Sequence, residues 1–261
     1  MAIFVPAPNI FAPIRAYSLL TTTQNIAVKN ESVMIPDATI KQFMNAIQTQ
    51  LNVDFLPSWG MNAQLTFYPG TIPPPSGHWR LVFTDLPGGG FGIHFPPNTP
   101  GNPLPSVPYA FVYVKTIKEA PGVGSLWPQL VSSTASHEVL EMLVDPLGTR
   151  WTASHFPPGN FVLMEVCDPV QDYLLVDPET DIVHLQLRGY IRSGTFGQVI
   201  VSNFVTPAWY NKNTGVGPFD RKKLVKQPME ILKGGFVSVL MQGFNLLPVN
   251  IIQILGPAVI P

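Results

Sequence analysis

Residues 136–146 read SHEVLEMLVDP, and this stretch carries most of the information about the fold. On a helix that turns about 100° per residue, Glu141 lies about 40° and Glu138 about 100° around the axis from His137. Apolar side chains occupy the opposite side: Ala135, Val139, Met142 and Leu143. The proline at the end of the stretch disfavours helical backbone at Asp145. The pattern predicts a helix over about 127–144 with one ionisable face and one core face.

The ionisable face has the residue types of a metal site. His137 and Glu141, four residues apart, can reach one divalent ion, and Glu138 lies where a carboxylate can accept a proton from a water that the metal activates. This is the HExxH arrangement of zincin metalloproteases with glutamate in place of the second histidine. The next acidic cluster, EVCD, supplies Glu165 and Asp168 as candidate closing ligands. We expect zinc in the first place, with calcium or manganese competing because one imidazole and several carboxylates form a hard ligand set.

A second interpretation of the same helix is structural salt bridging or a solvated acidic face, since amphipathic helices produce such spacings by chance. Charged residues are only 12% of the chain, against about 25% in an average soluble domain. In so charge-poor a chain, a concentration of carboxylates favours a site over generic surface.

The motif helix and the following MEVCDP at 164–169 resemble a group of zincin-like HExxE proteins with the pattern SHExLEMLxDP and then EVCD. They are more remotely similar to the plant phosphate-induced, Exordium-like family. GFGIHF at 90–95 resembles a GYH segment of that group, which puts His94 at the matching place, and residues 201–236 resemble a later segment. The resemblance covers about 35–240 and implies a zincin-like fold and a metal, but no substrate. Where the pattern has an acid after EVCD, this chain has Gln171, which would weaken metal affinity if that acid supports the metal.

Other singled-out positions have open or modest interpretations. His94 is either a ligand or substrate contact or a hydrogen-bonded loop histidine. The glycine-rich segment 86–95 has neither GK[ST] nor GxGxxG and is not a phosphate loop. Cys167 is expected to be a buried small residue rather than a nucleophile, since an acidic setting raises the pKa of a thiol. We expect no site role for His155 or His184, and a solvated loop at 219–226.

The amino-acid composition limits the classes of partner and the compartments that fit this protein. The 261 residues carry a net charge of −1, which argues against nucleic acid as a main partner. A single cysteine excludes an internal disulfide framework. No uninterrupted apolar run reaches about 18 residues, so we predict no membrane span. The first residues lack a basic segment and do not resemble a signal peptide, which leaves the cytoplasm or an extracellular or virion assembly open.

The predicted fold class is α+β, with one zincin-like domain at 36–240. Prolines at 6, 8 and 13 predict an extended apolar N-terminal arm at 1–35, and 241–261 is predicted to be an apolar C-terminal tail. Further elements are expected as a helix at 37–51 and strands at 63–68, 79–84, 109–114, 161–166, 182–190 and 197–205.

Two functions from different classes remain. The first is a metal-dependent hydrolase of the peptidase class, with Glu138 as general base and a peptide as substrate. The second is a non-catalytic, self-assembling structural protein, such as a capsid, fibre or tubule subunit, on the same scaffold. Its support is the low charge and the apolar ends, which favour a homo-oligomer or a larger assembly. A fold class alone does not decide between them.

Overall fold

The fold is known from a computed structural model, which describes residues 23–97, 106–153, 160–176, 180, 182–194, 197–211, 213, 215–241 and 250–259. It mixes helices and strands, so the α+β prediction is confirmed. No helix among these residues is long and apolar enough to cross a membrane.

The first half of the chain forms a five-stranded sheet with helices packed against it. Its elements, in chain order, are β1 (Gln24–Asn30), α1 (Asp37–Gln50), a π-helical turn (Leu51–Phe55), α2 (Leu56–Trp59), β2 (Ala63–Phe67), β3 (Trp79–Thr84), β4 (Gly92–Phe95), β5 (Tyr109–Tyr113), α3 (Val114–Glu119) and α4 (Trp127–Val144). The strand order is β2-β1-β3-β5-β4. The first four strands in this order run parallel, and β4 pairs antiparallel with β5 at the edge.

The second half consists of short antiparallel pairs. Its strands are β6 (Trp151–Ala153), β7 (Phe161–Leu163), β8 (Tyr173–Val176), β9 (Val183–Gln186), β10 (Tyr190–Gly194), β11 (Gly197–Val201), β12 (Glu230–Ile231), β13 (Phe236–Met241), β14 (Asn250–Leu255) and β15 (Ala258–Val259). A four-stranded sheet has the order β14-β13-β7-β6, and the other pairs are β8-β9, β10-β11 and β12-β15. Strand β7 ends earlier than predicted because the chain after it turns onto α4.

Helix α4 has the predicted bounds and is buried along most of its length. It packs against β4 and β5 on one side and β11 on another. Its apolar core face is buried, and so are Glu138 and Glu141, which are 4% and 3% exposed. The interpretation as a solvated acidic face is therefore wrong for this helix. Two buried carboxylates on one helix require compensation by hydrogen bonds or by cations.

The predicted arm and tail both contribute strands to the domain. Within the arm, β1 lies between β2 and β3 in the sheet, and Ile26, Ala27 and Val28 are fully buried. The predicted domain boundary at residue 36 is therefore wrong. The partners of a parallel strand lie far along the chain, so the short apolar run of β1 does not by itself identify it as a strand of the sheet. The part of the arm at 1–22 lies outside the described residues. In the tail, β14 pairs with β13 and β15 pairs with β12.

Candidate metal centre

The centre begins on α4, where His137 and Glu141 share one face. The Nε2 atom of His137 lies 3.0 Å from Oε2 of Glu141 and 3.3 Å from Oδ1 of Asp168. The i, i+4 spacing on the helix brings the first two together, as predicted. Asp168 comes from the 3₁₀ turn at Asp168–Val170, which follows β7 and the extended residues after it. The structure thus brings together an imidazole and two carboxylates from segments 27 residues apart.

Glu141 also fixes the downstream segment in place. Its Oε1 accepts hydrogen bonds from the backbone N–H groups of Cys167 and Asp168, at 3.1 and 3.2 Å. One carboxylate oxygen therefore holds the backbone while the other faces His137. Charge-assisted bonds of this kind orient a ligand before any metal binds.

His94 on β4 lies inside the same cluster. Its Nδ1 is 3.6 Å from Oε2 of Glu138 and 3.8 Å from Oε2 of Glu141, and its Nε2 is 3.7 Å from Oε2 of Glu165. From the sequence, His94 could be either a ligand or substrate contact or a hydrogen-bonded loop histidine. The interpretation as a loop histidine is wrong, since His94 lies on a strand against three carboxylates. The signal that could have identified it is the GFGIHF resemblance. Spacing could not, because His94 precedes the motif helix and reaches it across the sheet edge.

Among the described residues, two groups of side chains place their ligand atoms within 4.8 Å of one another. One is His137, Glu141 and Cys167; the other is His94, Glu141 and Glu165. Glu141 belongs to both. All four predicted ligands therefore lie in one cluster, but the two downstream acids lie beside different histidines. Asp168 contacts His137, and Glu165 contacts His94.

Burial and charge shift the acidity of these groups. Burial opposes protonation of His94, but the carboxylates of Glu165, Glu138 and Glu141 outweigh it and raise the pKa of His94 to about 10. Burial likewise opposes protonation of His137, yet the charge of Glu141 holds the pKa of His137 well above its usual range.

The pKa values of the acids shift in opposite directions. Burial, together with the charge of Glu141, raises the pKa of Asp168 to about 7. Burial also raises the pKa of Glu165 well above its ordinary value. Glu141 differs: burial acts to raise its pKa, but the adjacent His137 prevails and lowers it. The cluster is thus a buried set of carboxylates that strongly favours nearby positive charge.

The donor set fits a divalent cation. Imidazole nitrogens and carboxylate oxygens are ligands for zinc and manganese. Oε2 of Glu165 is buried and has no hydrogen-bond partner among the described residues, and a buried acceptor without a partner is costly. A cation in the cluster would remove that cost.

Two further residues, Cys167 and Gln171, lie beside the cluster. Cys167 is fully buried, burial raises the pKa of its thiol well above the ordinary value, and its Sγ donates to the carbonyl of His137 at 3.8 Å. Its thiol is buried, as predicted, and it belongs to the ligand group of His137 and Glu141. Gln171 donates from Nε2 to the carbonyl of Gly234 at 2.8 Å. An ionised acid could not make that bond, so Gln171 anchors the turn after the site instead of contributing charge.

A cleft of about 360 Å³ opens onto the cluster. Its walls are the glycine segment 89–92 on one side and α4 on the other, and His137, Glu138 and Asp168 line it. A methyl group at Gly92 would lie 2.4 Å from Oε1 of Glu138, so the glycine permits the close approach of β4 to the carboxylate. Solvent and a small substrate group can reach Glu138 through this cleft.

The remaining singled-out residues lie elsewhere. His184 is exposed on β9, away from the cluster, and His155 falls outside the described residues. Arg221 does not belong to a solvated loop as predicted, since its Nε donates to the buried carboxylate of Asp54 at 3.0 Å.

No family model, no curated protein and no solved structure matches this chain. The zincin-like resemblance therefore stays a prediction, and the geometry of the cluster carries the functional argument.

Proposed function

We propose that the protein is a metal-dependent hydrolase of the peptidase class on a zincin-like scaffold. The observation that carries the proposal is the contact of His137 with Glu141 and Asp168, beside a cleft that His137, Asp168 and the carboxylate-bearing Glu138 line. Zinc is the first candidate for the cation, and manganese and calcium are the alternatives that the carboxylates favour.

The residues divide into ligands and a base. His137, Glu141 and Asp168 would hold the cation, which when bound would polarise a substrate carbonyl and make a water molecule more acidic. Glu138 projects into the same cleft and is the group placed to accept a proton from that water. His94, 3.6 Å away through Nδ1, restricts where the Glu138 carboxylate can turn.

The finer fold assignment rests on the position of the motif helix. Helix α4 lies beside an antiparallel edge strand of an otherwise parallel sheet, and the acids that complete the cluster come from irregular chain after the helix. This arrangement supports the zincin-like scaffold that the sequence resemblance implies.

Replacing the base separates catalysis from metal binding. In Glu138→Gln we expect cleavage of a peptide mixture, read by mass spectrometry, to fall by about 10²- to 10⁴-fold because the proton acceptor is lost. Bound metal, measured by elemental analysis of the purified full-length chain, should stay at the wild-type level.

Glu119→Gln on α3 is the matched control, since that side chain is 60% exposed and does not line the cleft. Glu119→Gln should change neither the cleavage of the peptide mixture nor the amount of bound metal. Undiminished cleavage by Glu138→Gln would exclude Glu138 as the base, and a wild-type chain that binds no divalent metal would overturn the proposal.

A self-assembling structural role is the second candidate. It is favoured by exposed apolar side chains on a charge-poor chain, with Val33 95% and Leu86 62% exposed. Both lie beside Asp85, which accepts a hydrogen bond from the N–H of Val33 at 2.9 Å. This candidate does not require the metal centre to be catalytic.

A further inference from the structure

We propose that the centre binds two divalent cations, with His94 and Glu165 forming a second position that shares Glu141 with the first. The inference rests on the proposed metal-dependent function and extends it from one ion to a pair. It assigns His94 a role as a ligand.

The geometry supplies two ligand groups around one shared carboxylate. A nitrogen of His94 and oxygens of Glu141 and Glu165 lie within 4.8 Å of one another. Metal–ligand bonds of about 2.0–2.6 Å span such a group from a common centre. His137 and Asp168 make the contacts of the first position, and Oε2 of Glu141 faces both His137 and His94. Each histidine therefore contacts a different downstream acid: His94 contacts Glu165, and His137 contacts Asp168.

Charge balance favours two ions over one. Four carboxylates contact the two histidines: Glu138, Glu141, Glu165 and Asp168. The histidines must be neutral when they bind metal, so they then supply no counter-charge. With all four carboxylates ionised, one divalent ion would leave two negative charges uncompensated, and a second ion would neutralise them. Uncompensated buried charge is costly, so the set suits a pair.

The state of Glu165 is the independent observation that points to a ligand. Its Oε2 is buried without a hydrogen-bond partner and faces Nε2 of His94 at 3.7 Å, too far for a hydrogen bond. A first ion held by His137 and Asp168 does not explain why this acid is buried there. A ligand position between Glu165, His94 and Glu141 does.

The carboxylate of Glu141 allows two metal ions to share one ligand. A histidine there would offer a single ring nitrogen to one ion, whereas a carboxylate can bridge two ions that lie about 3.5–4 Å apart. The departure from HExxH, a glutamate in place of the second histidine, is thus the feature that permits a pair.

Metal stoichiometry tests the inference without using activity. The metal-free full-length protein is titrated with Mn²⁺, free Mn²⁺ is followed by electron paramagnetic resonance, and bound metal is counted by elemental analysis after desalting. We expect two ions per chain and a spin-coupled signal that appears with the second equivalent. His94→Gln and Glu165→Gln should each bind one ion without coupling, whereas His184→Gln should bind two.

The outcomes separate the two proposals. One ion per wild-type chain that persists in His94→Gln and is lost in His137→Gln would overturn the second position and leave the proposed function standing. One ion that is lost in both variants would also overturn the pair, since both histidines would then serve one site. No bound ion, with either Mn²⁺ or Zn²⁺, would overturn both proposals. If His94→Gln fails to fold, Glu165→Gln and the wild-type count still decide.

Discussion

At the scale of single residues, Glu141 has the most consequences in the site. Its two oxygens have different contacts. Oε1 accepts hydrogen bonds from the N–H groups of Cys167 and Asp168, and Oε2 faces His137 and His94. A side chain with a single acceptor could not anchor the downstream loop and face both imidazoles together. The replacement of the second histidine in the HExxH pattern is therefore compatible with a working centre, through different geometry.

Gly92 is the residue whose substitution should disturb the base without touching the ligands. A Cβ there would lie 2.4 Å from Oε1 of Glu138 and 2.6 Å from Cγ2 of Thr134. In Gly92→Ala the carboxylate must turn away, and we expect cleavage to fall by about 10- to 100-fold, as small displacements of a catalytic group do. Metal content should be unchanged, and the melting temperature should drop modestly because the contact with Thr134 is overpacked.

Gly89→Ala is the control, since nothing lies within 4 Å of its added methyl group. It belongs to the same segment and lines the same cleft, so it reports any general effect of stiffening the loop. Equal losses in the two variants would contradict the proposed contact with Glu138.

At the scale of elements, α4 is held in place by buried polar contacts on the side away from the cleft. Oγ of Ser136 donates to Oε1 of Gln50 at 2.6 Å and accepts from the N–H of Ser202 at 3.0 Å. Nε2 of Gln50 donates to the carbonyl of Ser202 at 2.8 Å and to the hydroxyl of Tyr190 at 3.1 Å. These bonds join α1, α4 and the chain after β11 at the residue before His137.

The π-helical turn after α1 extends this network to the surface. Asp54 in that turn accepts a hydrogen bond from the hydroxyl of Tyr190 at 2.9 Å and pairs with Arg192 and Arg221. The extra residue of a π-turn changes the direction of side chains, and here Asp54 points inward. The buried acid is therefore balanced by two arginines.

Gln50→Leu tests how much this network stabilises the fold. The substitution keeps the approximate volume but removes the acceptor of the Ser136 hydroxyl and a donor to the Ser202 carbonyl, at a cost of about 1–3 kcal/mol for a buried unsatisfied group. We expect a lower free energy of unfolding in urea by that amount. Gln42→Leu, half-buried on the same helix, should cost less than about 0.5 kcal/mol. Equal stabilities of the two variants would show that the network contributes little.

At the scale of the whole molecule, the charge-poor surface raises the question of self-association. The tail supplied part of the reason to expect it, but β14 and β15 pair within the domain. Exposed apolar side chains remain, among them Val33 and Leu86. Burying such surface gains about 25 cal/mol per Å², which favours contact with another copy.

Light scattering on the full-length chain measures the outcome. We expect a mass above 28.6 kDa that rises with protein concentration, and a shift towards the monomer in Val33→Asp, which places a charge in the apolar patch. Lys29→Asp, a charge change at a less exposed position of β1, should leave the mass unchanged. A wild-type monomer at high concentration would contradict the assembly hypothesis and favour the hydrolase.

Elements with strong local signals could be predicted from the sequence. The sequence predicts helix α1 and helix α4 at nearly their observed bounds, because apolar residues recur at helical spacing within a single segment. Strands β2, β3 and β5 were also predicted. The strand β1 was assigned to an arm, because its seven residues make sense only beside β2 and β3, which lie more than thirty residues further on.

The amino-acid sequence alone determined that His137, Glu138 and Glu141 share one side of a helix, since hydrogen bonds within the helix fix that spacing. It also indicated Glu165 and Asp168 as the acids to join them. Only the tertiary structure decided that these acids lie beside different histidines, that His94 enters across the sheet edge, and that the helix face is buried. The physical reason is that burial and contact between distant segments depend on how the elements pack, and no spacing within one segment encodes that packing.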